Sequence, residues 1–297
     1  MLDQLPISYI EPVFRPPSEA HSLILPVTNG CSWNQCTFCE MYTAPQKKFR
    51  ARKEEEVLDE IRRTGERMIV QRVFLADGDA MVLPTKRLLT ILEAIREHMP
   101  EVNRVTSYCL PRNLERKSVA ELQELREAGL AMLYVGAESG DDEVLERVNK
   151  GETAASTIDG LNKAGDAGML RSVMILNGLG GRSLSRQHAL NSAALANATQ
   201  PEFLSTLVVS FPQGMERFQA RYPDFEPLEQ NELFTEMALL LDALELDNTV
   251  FRSDHASNYL VLKGVLGADK VRMQQQVQAA LDAPARAGLR PEWMRGL

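Results

Sequence analysis

Short apolar runs rich in β-branched residues alternate along this chain with longer amphipathic runs, and this alternation restricts the fold more than any other feature. Runs with the length and composition of strands occupy residues 22–28, 72–76, 104–109, 132–137, 170–176 and 203–209. Strands that alternate with helices predict β-α crossovers, which place successive strands in parallel. The sequence therefore predicts an α/β fold with a parallel sheet, either open or curled into a barrel.

The intervening runs carry the signals of helices. Residues 85–98 place Leu88, Leu92 and Ile95 on one face, and Ser118 with Glu121 forms a capping box ahead of another apolar run. Further helices are predicted over residues 54–67, 142–148, 154–167, 185–197, 229–246 and 269–283. We interpret the chain as a single domain over residues 1–297, with an N-terminal arm (1–20), a core barrel (21–245) and a C-terminal closing segment (246–297).

Polar or glycine-rich loops follow five of the predicted strands. The residues of these loops that come directly at or after the strand ends are 31–39, 77–79, 109–112, 138–140 and 177–181. In parallel α/β folds the chemistry lies at the carboxyl ends of the strands, because those ends meet at one rim. The sequence thus predicts a single site assembled from these loops.

Composition excludes some functions. The net charge is -8 with a pI near 5.2, which provides no general attraction for nucleic acid or anionic lipid, so neither is an expected partner. The N-terminus lacks the basic start and apolar core of a secretory leader, and no long apolar run predicts a membrane span. We therefore expect a cytoplasmic protein, in which clustered cysteines favour metal binding or catalysis over disulfides.

Three of the four cysteines lie in one short stretch, GCSWNQCTFCEMY. Cys31, Cys36 and Cys39 have the spacing C-x4-C-x2-C, and the fourth cysteine, Cys109, lies on a different predicted strand. A structural zinc site needs four protein ligands, and an open zinc site usually includes histidine or carboxylate. The same spacing opens the plant-type ferredoxin pattern, for which Cys109 would have to supply the fourth ligand. The remaining interpretation is a cubane cluster with three cysteine-bound irons and one open iron.

The cysteine stretch resembles that of the radical S-adenosylmethionine (SAM) superfamily. That family usually spaces its cysteines C-x3-C-x2-C with an aromatic residue before the last; here Phe38 is in place and the first gap is one residue longer. The late segment FRSDHASNYLVLKG resembles a branch of uncharacterised relatives of oxygen-independent coproporphyrinogen oxidase. The resemblance implies a partial (β/α)6 TIM-like barrel, a 4Fe-4S cluster held by Cys31, Cys36 and Cys39, and SAM as second cofactor.

The resemblance also implies contacts to SAM at the other strand ends. The glycine-rich motif at Asp77–Asp79 would hold the SAM amino group through its backbone, Glu138 would hydrogen-bond the ribose hydroxyls, and Ser107 would meet the ribose or carboxylate. The remaining candidates are Gly78 within that motif, Ser139 beside Glu138, and Ile175 and Asn177 in the segment expected against the adenine.

The implied function is reductive cleavage of SAM to a 5'-deoxyadenosyl radical, which abstracts hydrogen from an unidentified small-molecule or peptide substrate. Cys109, His255 and Tyr259 are candidate catalytic or substrate residues. A flavodoxin or ferredoxin would donate the electron, with the basic stretch 46–53 as its landing site unless that stretch is only a solvated loop. The alternative function is a non-catalytic iron-sulfur or zinc protein that serves structure or electron transfer.

Overall fold

A computed structural model describes residues 6–295, which divide into two compact units. The first unit contains the chain up to Asn34, together with Cys39–Val135 and Asn162–Arg171. The second contains Gln35–Phe38, Gly136–Leu161 and the chain from Ser172 onward. The two units are thus interleaved along the sequence. No helix in the described part of the chain is both long enough and apolar enough to cross a membrane.

The first unit is a parallel sheet with helices in its connections. Its elements are β1 (Leu23–Pro26), β2 (Thr28–Asn29), β3 (Arg50–Ala51), α1 (Glu54–Gly65), β4 (Arg72–Ala76), α2 (Thr85–His98), β5 (Arg104–Cys109), α3 (Pro111–Glu115), α4 (Val119–Glu127) and the start of β6 (Leu130–Glu138). Strands β1, β4, β5 and β6 pair in that order and all in parallel. Pro26 lies opposite Ala76, and Cys109 lies opposite Val135, so the strands end close to the same rim.

Local sequence explains these elements. Val73, Phe74 and Leu75 of β4 are fully buried, as expected for a central parallel strand covered on both faces. Helix α4 begins with the predicted capping box, in which Ser118 and Glu121 each bond the other's backbone. The first unit therefore follows the predicted β-α alternation.

The second unit continues the same pattern and ends in a hairpin. Its elements are the last residues of β6, α5 (Asp142–Arg147), the first part of α6 (Ala154–Asp166), β7 (Leu170–Asn177) from Ser172 onward, α7 (Gly181–Thr199), β8 (Phe203–Val208), α8 (Glu216–Gln219), α9 (Gln230–Ala243), β9 (Val250–Ser253), β10 (Leu262–Val265) and α10 (Lys270–Asp282). β7, β8 and β9 pair in parallel, and β10 pairs antiparallel with β9.

The outer side of β10 is bonded by side chains from the start of α10. Asp269 accepts from the Val265 backbone N–H at 2.9 Å, and Arg272 donates to the Lys263 carbonyl at 2.7 Å. These contacts occupy backbone groups on the side of β10 away from β9.

The predicted elements are present, with several corrections at their ends. Residues 22–28 do not form one strand: β1 ends at Pro26, and Thr28–Asn29 pairs with Arg50–Ala51 in a separate small sheet. The helix predicted over 229–246 ends at Ala243, because Leu244 is extended. β9, β10, α3 and α8 were not predicted, since each is only four or five residues long and too short to show a period.

Candidate functional site

The cysteine stretch begins in the first unit at a glycine that the backbone requires. Gly30 has φ +70, and a Cβ there would overlap the carbonyl oxygen of Lys47. Two residues later the Ser32 hydroxyl donates to the Asp79 carboxylate, which also accepts from the amide of Asn113. The start of the cysteine stretch is thereby tied to the residues that follow β4 and β5, which are the strand ends that the sequence predicts at one rim.

An aromatic stack strengthens the same connection. The guanidinium of Arg112 lies 4.0 Å from the centre of the Trp33 ring, and both residues belong to the first unit. A cation over an indole face is the most favourable arrangement of this kind. None of Ser32, Trp33, Arg112 and Asn113 was predicted as a site residue, although the first three lie within the loops predicted at the strand ends and Asn113 directly follows one of these loops.

Asp77 is held by a buried ion pair. Its carboxylate contacts the ammonium of Lys47, which also donates to the Ile10 carbonyl at 2.7 Å, and both side chains are almost fully buried. The simplest interpretation of the basic stretch 46–53 was a solvated loop. The buried side chain of Lys47 shows that this interpretation does not hold for the whole stretch. A signal for this existed in the sequence, because a carboxylate that follows a buried strand needs a counter-charge.

The acidic groups of this motif lie in a low-dielectric environment. Burial raises the pKa of Asp77, and the Lys47 charge opposes that shift. Burial likewise raises the pKa of Asp79 against the hydrogen bonds from Ser32 and Asn113. Gly78 lies between them with the Tyr42 ring packed so closely that a Cβ would overlap it. Among the described residues the Asp77 Oδ1 atom has no hydrogen-bond partner, so this loop retains acceptor capacity.

Ser107 and Cys109 are both buried in the first unit. The Ser107 hydroxyl lies 3.2 Å from the Leu75 carbonyl and 2.9 Å from the Tyr108 carbonyl, so its proton is directed to the backbone. Cys109 Sγ lies 3.4 Å from the Leu110 carbonyl, and the residue is 2 % exposed. The predicted roles of these residues toward ribose or substrate stay predictions.

The middle of the cysteine stretch belongs to the second unit. The Thr37 N–H donates to the Val148 carbonyl at 3.0 Å, and the Asn149 amide donates to the Gln35 carbonyl at 3.2 Å. Phe38 packs beside an aromatic and aliphatic cluster that includes Phe218. The residues around Cys36 are thus fixed by the segment that follows α5.

Glu138 is the most unusual residue of the second unit. It ends β6 with φ +66, its side chain is 7 % exposed, and its Oε1 lies 3.2 Å from the Lys150 ammonium. Among residues 6–295 its second oxygen, Oε2, has no hydrogen-bond partner. A buried carboxylate oxygen without a donor is costly unless something else satisfies it. Such an atom fits a ligand hydroxyl, which is the role predicted for Glu138.

The Ser139 hydroxyl forms hydrogen bonds within the protein interior. Its hydroxyl lies 2.8 Å from Nδ1 of His188 and accepts from the Asp141 N–H at 3.0 Å. His188 Nε2 lies 3.0 Å from the Leu176 carbonyl, which can only accept, so Nε2 carries a proton. Ser139 and His188 therefore join the loop after β6 to the end of β7, and the predicted contact of Ser139 with SAM stays a prediction.

Ile175 and Asn177 lie near the end of β7. Ile175 is 1 % exposed, and Asn177 lines a small cleft together with Leu233, Phe234 and Tyr259. The structure brings Asn177 and Tyr259 to this one cleft. It gives no contact that decides their predicted roles.

The segment around His255 closes the end of β8. The Asn258 side chain accepts from the Val208 N–H at 3.0 Å and donates to the Thr206 carbonyl at 2.8 Å, so it pairs with β8 as a strand would. His255 Nδ1 accepts from the Ser257 N–H at 3.1 Å. Burial lowers the pKa of His255, and the nearby Arg290 adds to that shift.

The donor chemistry of the cysteine stretch fits an iron-sulfur cluster. None of the cysteines in residues 6–295 forms a disulfide, and Cys31, Cys36 and Cys39 are partly exposed whereas Cys109 is buried. The described side chains form no group of three cysteine, histidine or acidic residues already arranged around a metal ion. The fit therefore rests on three thiol side chains in one loop, which are the ligands that such clusters take.

The family model of the radical SAM superfamily matches residues 25–193, more than half of the sequence. The chain belongs to the radical SAM superfamily. A curated relative, the heme chaperone HemW of Bacillus subtilis (strain 168), is 21% identical over 180 residues, which are 58% of this chain and 47% of the relative. This radical SAM chain thus spans about half the length of the curated relative that it matches.

Two solved structures share the fold. Coproporphyrinogen III oxidase (HemN) from Escherichia coli has a TM-score of 0.56 at 14% identity, covering 90% of this chain and 70% of that one. Methylornithine synthase (PylB) has a TM-score of 0.53 at 15% identity, covering 86% and 68%. At these identities the likeness concerns the fold alone. The predicted α/β fold of the partial TIM-barrel type is confirmed.

Proposed function

We propose that this enzyme cleaves SAM reductively at a 4Fe-4S cluster held by Cys31, Cys36 and Cys39, and that the resulting radical takes a hydrogen atom from a small-molecule or peptide substrate. The observation that carries the proposal is the cysteine triplet, which lies at the end of the first strand inside the region matched by the family model. We also retain the interpretation of residues 1–297 as one functional domain.

A bound cluster of this type would supply the single electron that splits SAM into methionine and a 5'-deoxyadenosyl radical. The chain's own task is to place SAM and keep water away from it. In the proposal the backbone of Asp77, Gly78 and Asp79 receives the SAM amino group. The buried contacts of Asp77 with Lys47 and of Asp79 with Ser32 and Asn113 support this role, because they hold that backbone rigidly.

Glu138 is proposed to bind the ribose hydroxyls. Lys150 holds Oε1, and Oε2 retains its capacity to accept a hydrogen bond. A carboxylate held at one oxygen by a cation loses little further freedom when a diol binds at the other. Ile175 and Asn177 are proposed to lie beside the adenine, Ser107 to contact the ribose or carboxylate of SAM, and Ser139 to contact SAM beside Glu138.

The electron donor is proposed to be a flavodoxin or ferredoxin. Lys48 and Arg50 are exposed in the basic stretch 46–53, whereas Lys47 is buried beneath it. Exposed cations of this kind steer an acidic partner even when the chain as a whole is acidic. Cys109, His255 and Tyr259 stay candidates for the substrate step.

The second candidate is a non-catalytic protein that holds iron-sulfur or zinc. The names of two of the three similar proteins concern heme and porphyrin, but fold and cofactor are shared by many reactions, so these names select no substrate here. Cluster type and SAM turnover separate the two candidates.

The test uses anaerobically reconstituted protein reduced with dithionite and incubated with SAM. We expect about four irons per chain, which is the iron content of one cubane cluster, with matching sulfide and with 5'-deoxyadenosine formed. Cys36→Ala should lose both iron and product. Cys109→Ala is the matched control for iron content, since it removes the cysteine outside the stretch.

Other results would overturn the proposal. Bound zinc in place of iron, or an iron content that falls in Cys109→Ala as far as in Cys36→Ala, would indicate a structural or ferredoxin-type site. A full cluster without any SAM cleavage would favour the electron-transfer alternative.

A further inference from the structure

The described part of the N-terminal arm, residues 6–20, lies against the first unit and is attached to its strands. The Tyr9 hydroxyl donates to the carbonyl of Ile24 on β1 at 2.9 Å. The carboxylate of Glu19, which is fully buried, accepts from Arg104 on β5 at 2.8 Å. These two attachments lie on either side of the middle of the arm, which makes the contacts considered next.

One route of contact runs from the arm to Asp77 through a lysine. The Lys47 ammonium donates to the Ile10 carbonyl at 2.7 Å and also forms the buried ion pair with Asp77. Lys47 is only 1 % exposed, and a buried ammonium has three donors that need acceptors besides its counter-ion. Because the arm supplies one of these acceptors, it helps to fix where the Lys47 ammonium meets Asp77.

A second route of contact runs from the arm to Gly78 through a tyrosine. The rings of Phe14 and Tyr42 meet edge to face, with their centres 5.6 Å apart and an angle of 81° between their planes. Tyr42 is 5 % exposed, and its ring lies so close to Gly78 that a Cβ there would overlap it. Edge-to-face pairs at this separation are favourable and directional. The position of the Tyr42 ring beside Gly78 is therefore set in part by Phe14.

The two routes end at adjacent residues of one loop. Asp77 and Gly78 directly follow β4, and Tyr42 and Lys47 both lie between Cys39 and α1, so all of them belong to the first unit. Burial raises the pKa of Tyr42 well above its usual range, and the Asp77 charge adds to that shift, which shows that the two routes also interact. The arm thus holds this loop through two contacts of different chemistry, one polar and one aromatic.

We propose that the middle of the N-terminal arm, residues 10–14, is a clamp on the loop that receives the SAM amino group, and that Phe14 and Tyr42 are positioning residues for SAM. A loop that already has its binding shape saves the ligand the cost of ordering it. When that shape is only partly populated, the apparent dissociation constant rises in proportion. The inference deepens the proposed function and rests on it for the identity of the bound molecule.

The clamp acts on one part of SAM only. The loop of Asp77, Gly78 and Asp79 is proposed to hold the amino group, whereas Glu138 is proposed to hold the ribose. Loss of the clamp should therefore weaken ligands that carry the amino-acid part of SAM and spare ligands that lack it. A general loosening of the protein would weaken both kinds of ligand alike.

The test measures equilibrium binding of SAM and of 5'-methylthioadenosine, which lacks the amino-acid part, to the reconstituted holoenzyme. The variants are Phe14→Leu, Tyr42→Leu and the two together, with Phe14→Tyr as the conservative replacement that keeps an aromatic ring. Tyr9→Phe is the matched control, because it removes a hydrogen bond of the same arm that belongs to neither route. Iron content and urea unfolding are measured for each protein. Phe14 is partly exposed, so Phe14→Leu tests the arm even if Tyr42→Leu does not fold.

We expect Phe14→Leu to raise the dissociation constant for SAM by about threefold to tenfold, which is the factor that an aromatic pair of this kind contributes. Phe14→Tyr and Tyr9→Phe should keep the wild-type constant. Tyr42→Leu should raise it at least as far, and Phe14→Leu should then add nothing, because both substitutions act through the same ring. The dissociation constant for 5'-methylthioadenosine should be the same in all of these proteins.

Three results would overturn the inference: Phe14→Leu that binds SAM as tightly as Tyr9→Phe does, SAM and 5'-methylthioadenosine weakened by the same factor, or effects of Phe14→Leu and Tyr42→Leu that simply add. Failure of the proposed function is separate. If the variants change SAM binding as expected but the wild type forms no 5'-deoxyadenosine, the SAM chemistry is refuted and the clamp stands. If the wild type cleaves SAM but Phe14→Leu binds it normally, only the clamp is refuted.

Discussion

Two buried ion pairs lie beside the positions that are proposed to hold SAM, and in each pair the second carboxylate oxygen has no hydrogen-bond partner among residues 6–295. Lys47 with Asp77 and Lys150 with Glu138 each bury a cation and a carboxylate. Such pairs add little net stability, but the loss of one partner is expensive because the other charge remains buried. These two ion pairs are therefore better explained as fixing the positions of the loops after β4 and β6 than as stabilising the folded protein.

At Glu138 this reasoning gives a prediction that separates binding from stability. Glu138→Gln keeps the shape of the side chain but removes the buried negative charge that lies 3.2 Å from the Lys150 ammonium, so the free energy of unfolding should fall by about 3 kcal/mol. The dissociation constant for SAM should rise by about tenfold, because a charged acceptor for the ribose hydroxyls becomes neutral. Urea unfolding and equilibrium SAM binding measure the two effects.

The control is Glu124→Gln, which neutralises an exposed glutamate on α4 and should change neither quantity. If Glu138→Gln lost stability while SAM affinity stayed at the wild-type value, the Glu138–Lys150 pair would be a structural feature only.

His255 predicts how stability depends on pH. Its pKa is lowered from 6.5, mainly by burial and further by Arg290, with Asp254 opposing. As pH falls below that ordinary value the unfolded chain takes up a proton before the folded protein does, so the folded state loses stability with decreasing pH. The stability that His255 contributes is fully present above its pKa in the unfolded chain. It is lost as pH falls from that pKa to the lower pKa of the folded protein.

His255→Gln should remove this slope. The difference in free energy of unfolding between wild type and variant should shrink as pH falls from about 7.5 to about 5.5, the range in which histidines titrate. Urea unfolding at several pH values measures it, and His21→Gln, at an exposed histidine, is the control. A difference that stays constant across the range would contradict the assignment.

At the scale of elements, the turn into the cysteine stretch depends on close backbone packing. Gly30 combines a left-handed φ of +70 with contact against the Lys47 backbone. Gly168 has nearly the same φ, +75, but a Cβ there would meet no heavy atom within 4 Å. A comparison of substitutions at Gly30 and Gly168 therefore separates the cost of a strained backbone from the cost of a steric collision.

Gly168→Ala should cost about 1 kcal/mol of unfolding free energy, which is the effect of a left-handed alanine alone. Gly30→Ala should cost about 3 kcal/mol or more, because the backbone around Lys47 must move. Thermal or urea unfolding compares the two, and iron content after reconstitution should fall only in Gly30→Ala. Equal costs at both positions would show that the collision is relieved locally.

At the scale of the whole molecule, the two units share the chain in alternating segments. Residues 162–171 belong to the first unit, and Lys163 donates to the carbonyls of Leu114, Glu115 and Lys117. A cut after Val135 therefore removes part of the first unit together with the second.

A fragment of residues 1–135 should not unfold cooperatively in urea, whereas residues 1–171, which keep the missing segment, should show a transition by far-UV circular dichroism. Cooperative unfolding depends on a complete packed unit. Identical curves for the two fragments would show that residues 162–171 contribute nothing to the first unit.

Many of the strands and helices could be predicted from the sequence, because the hydrophobic periods that indicate them lie within each segment. The strands Arg72–Ala76 and Arg104–Cys109 and the helix Thr85–His98 have the predicted bounds, since buried parallel strands and amphipathic helices show their own periods. A counter-charge for Asp77 could be expected, but that Lys47 supplies it could not be predicted from its basic neighbours, because the pairing joins positions far apart in the sequence. Likewise β10 gives no period of its own and forms only because β9 is beside it.

One consequence of the β10 contacts concerns the behaviour of many molecules together. An exposed edge strand offers unpaired backbone groups to which a second chain can add, which leads to aggregation. Here Asp269 and Arg272 already occupy the outward N–H of Val265 and carbonyl of Lys263, and the strand is only four residues long. The edge of the sheet at β10 therefore resists the addition of a strand from a second molecule. We expect that this edge does not promote aggregation at high protein concentration.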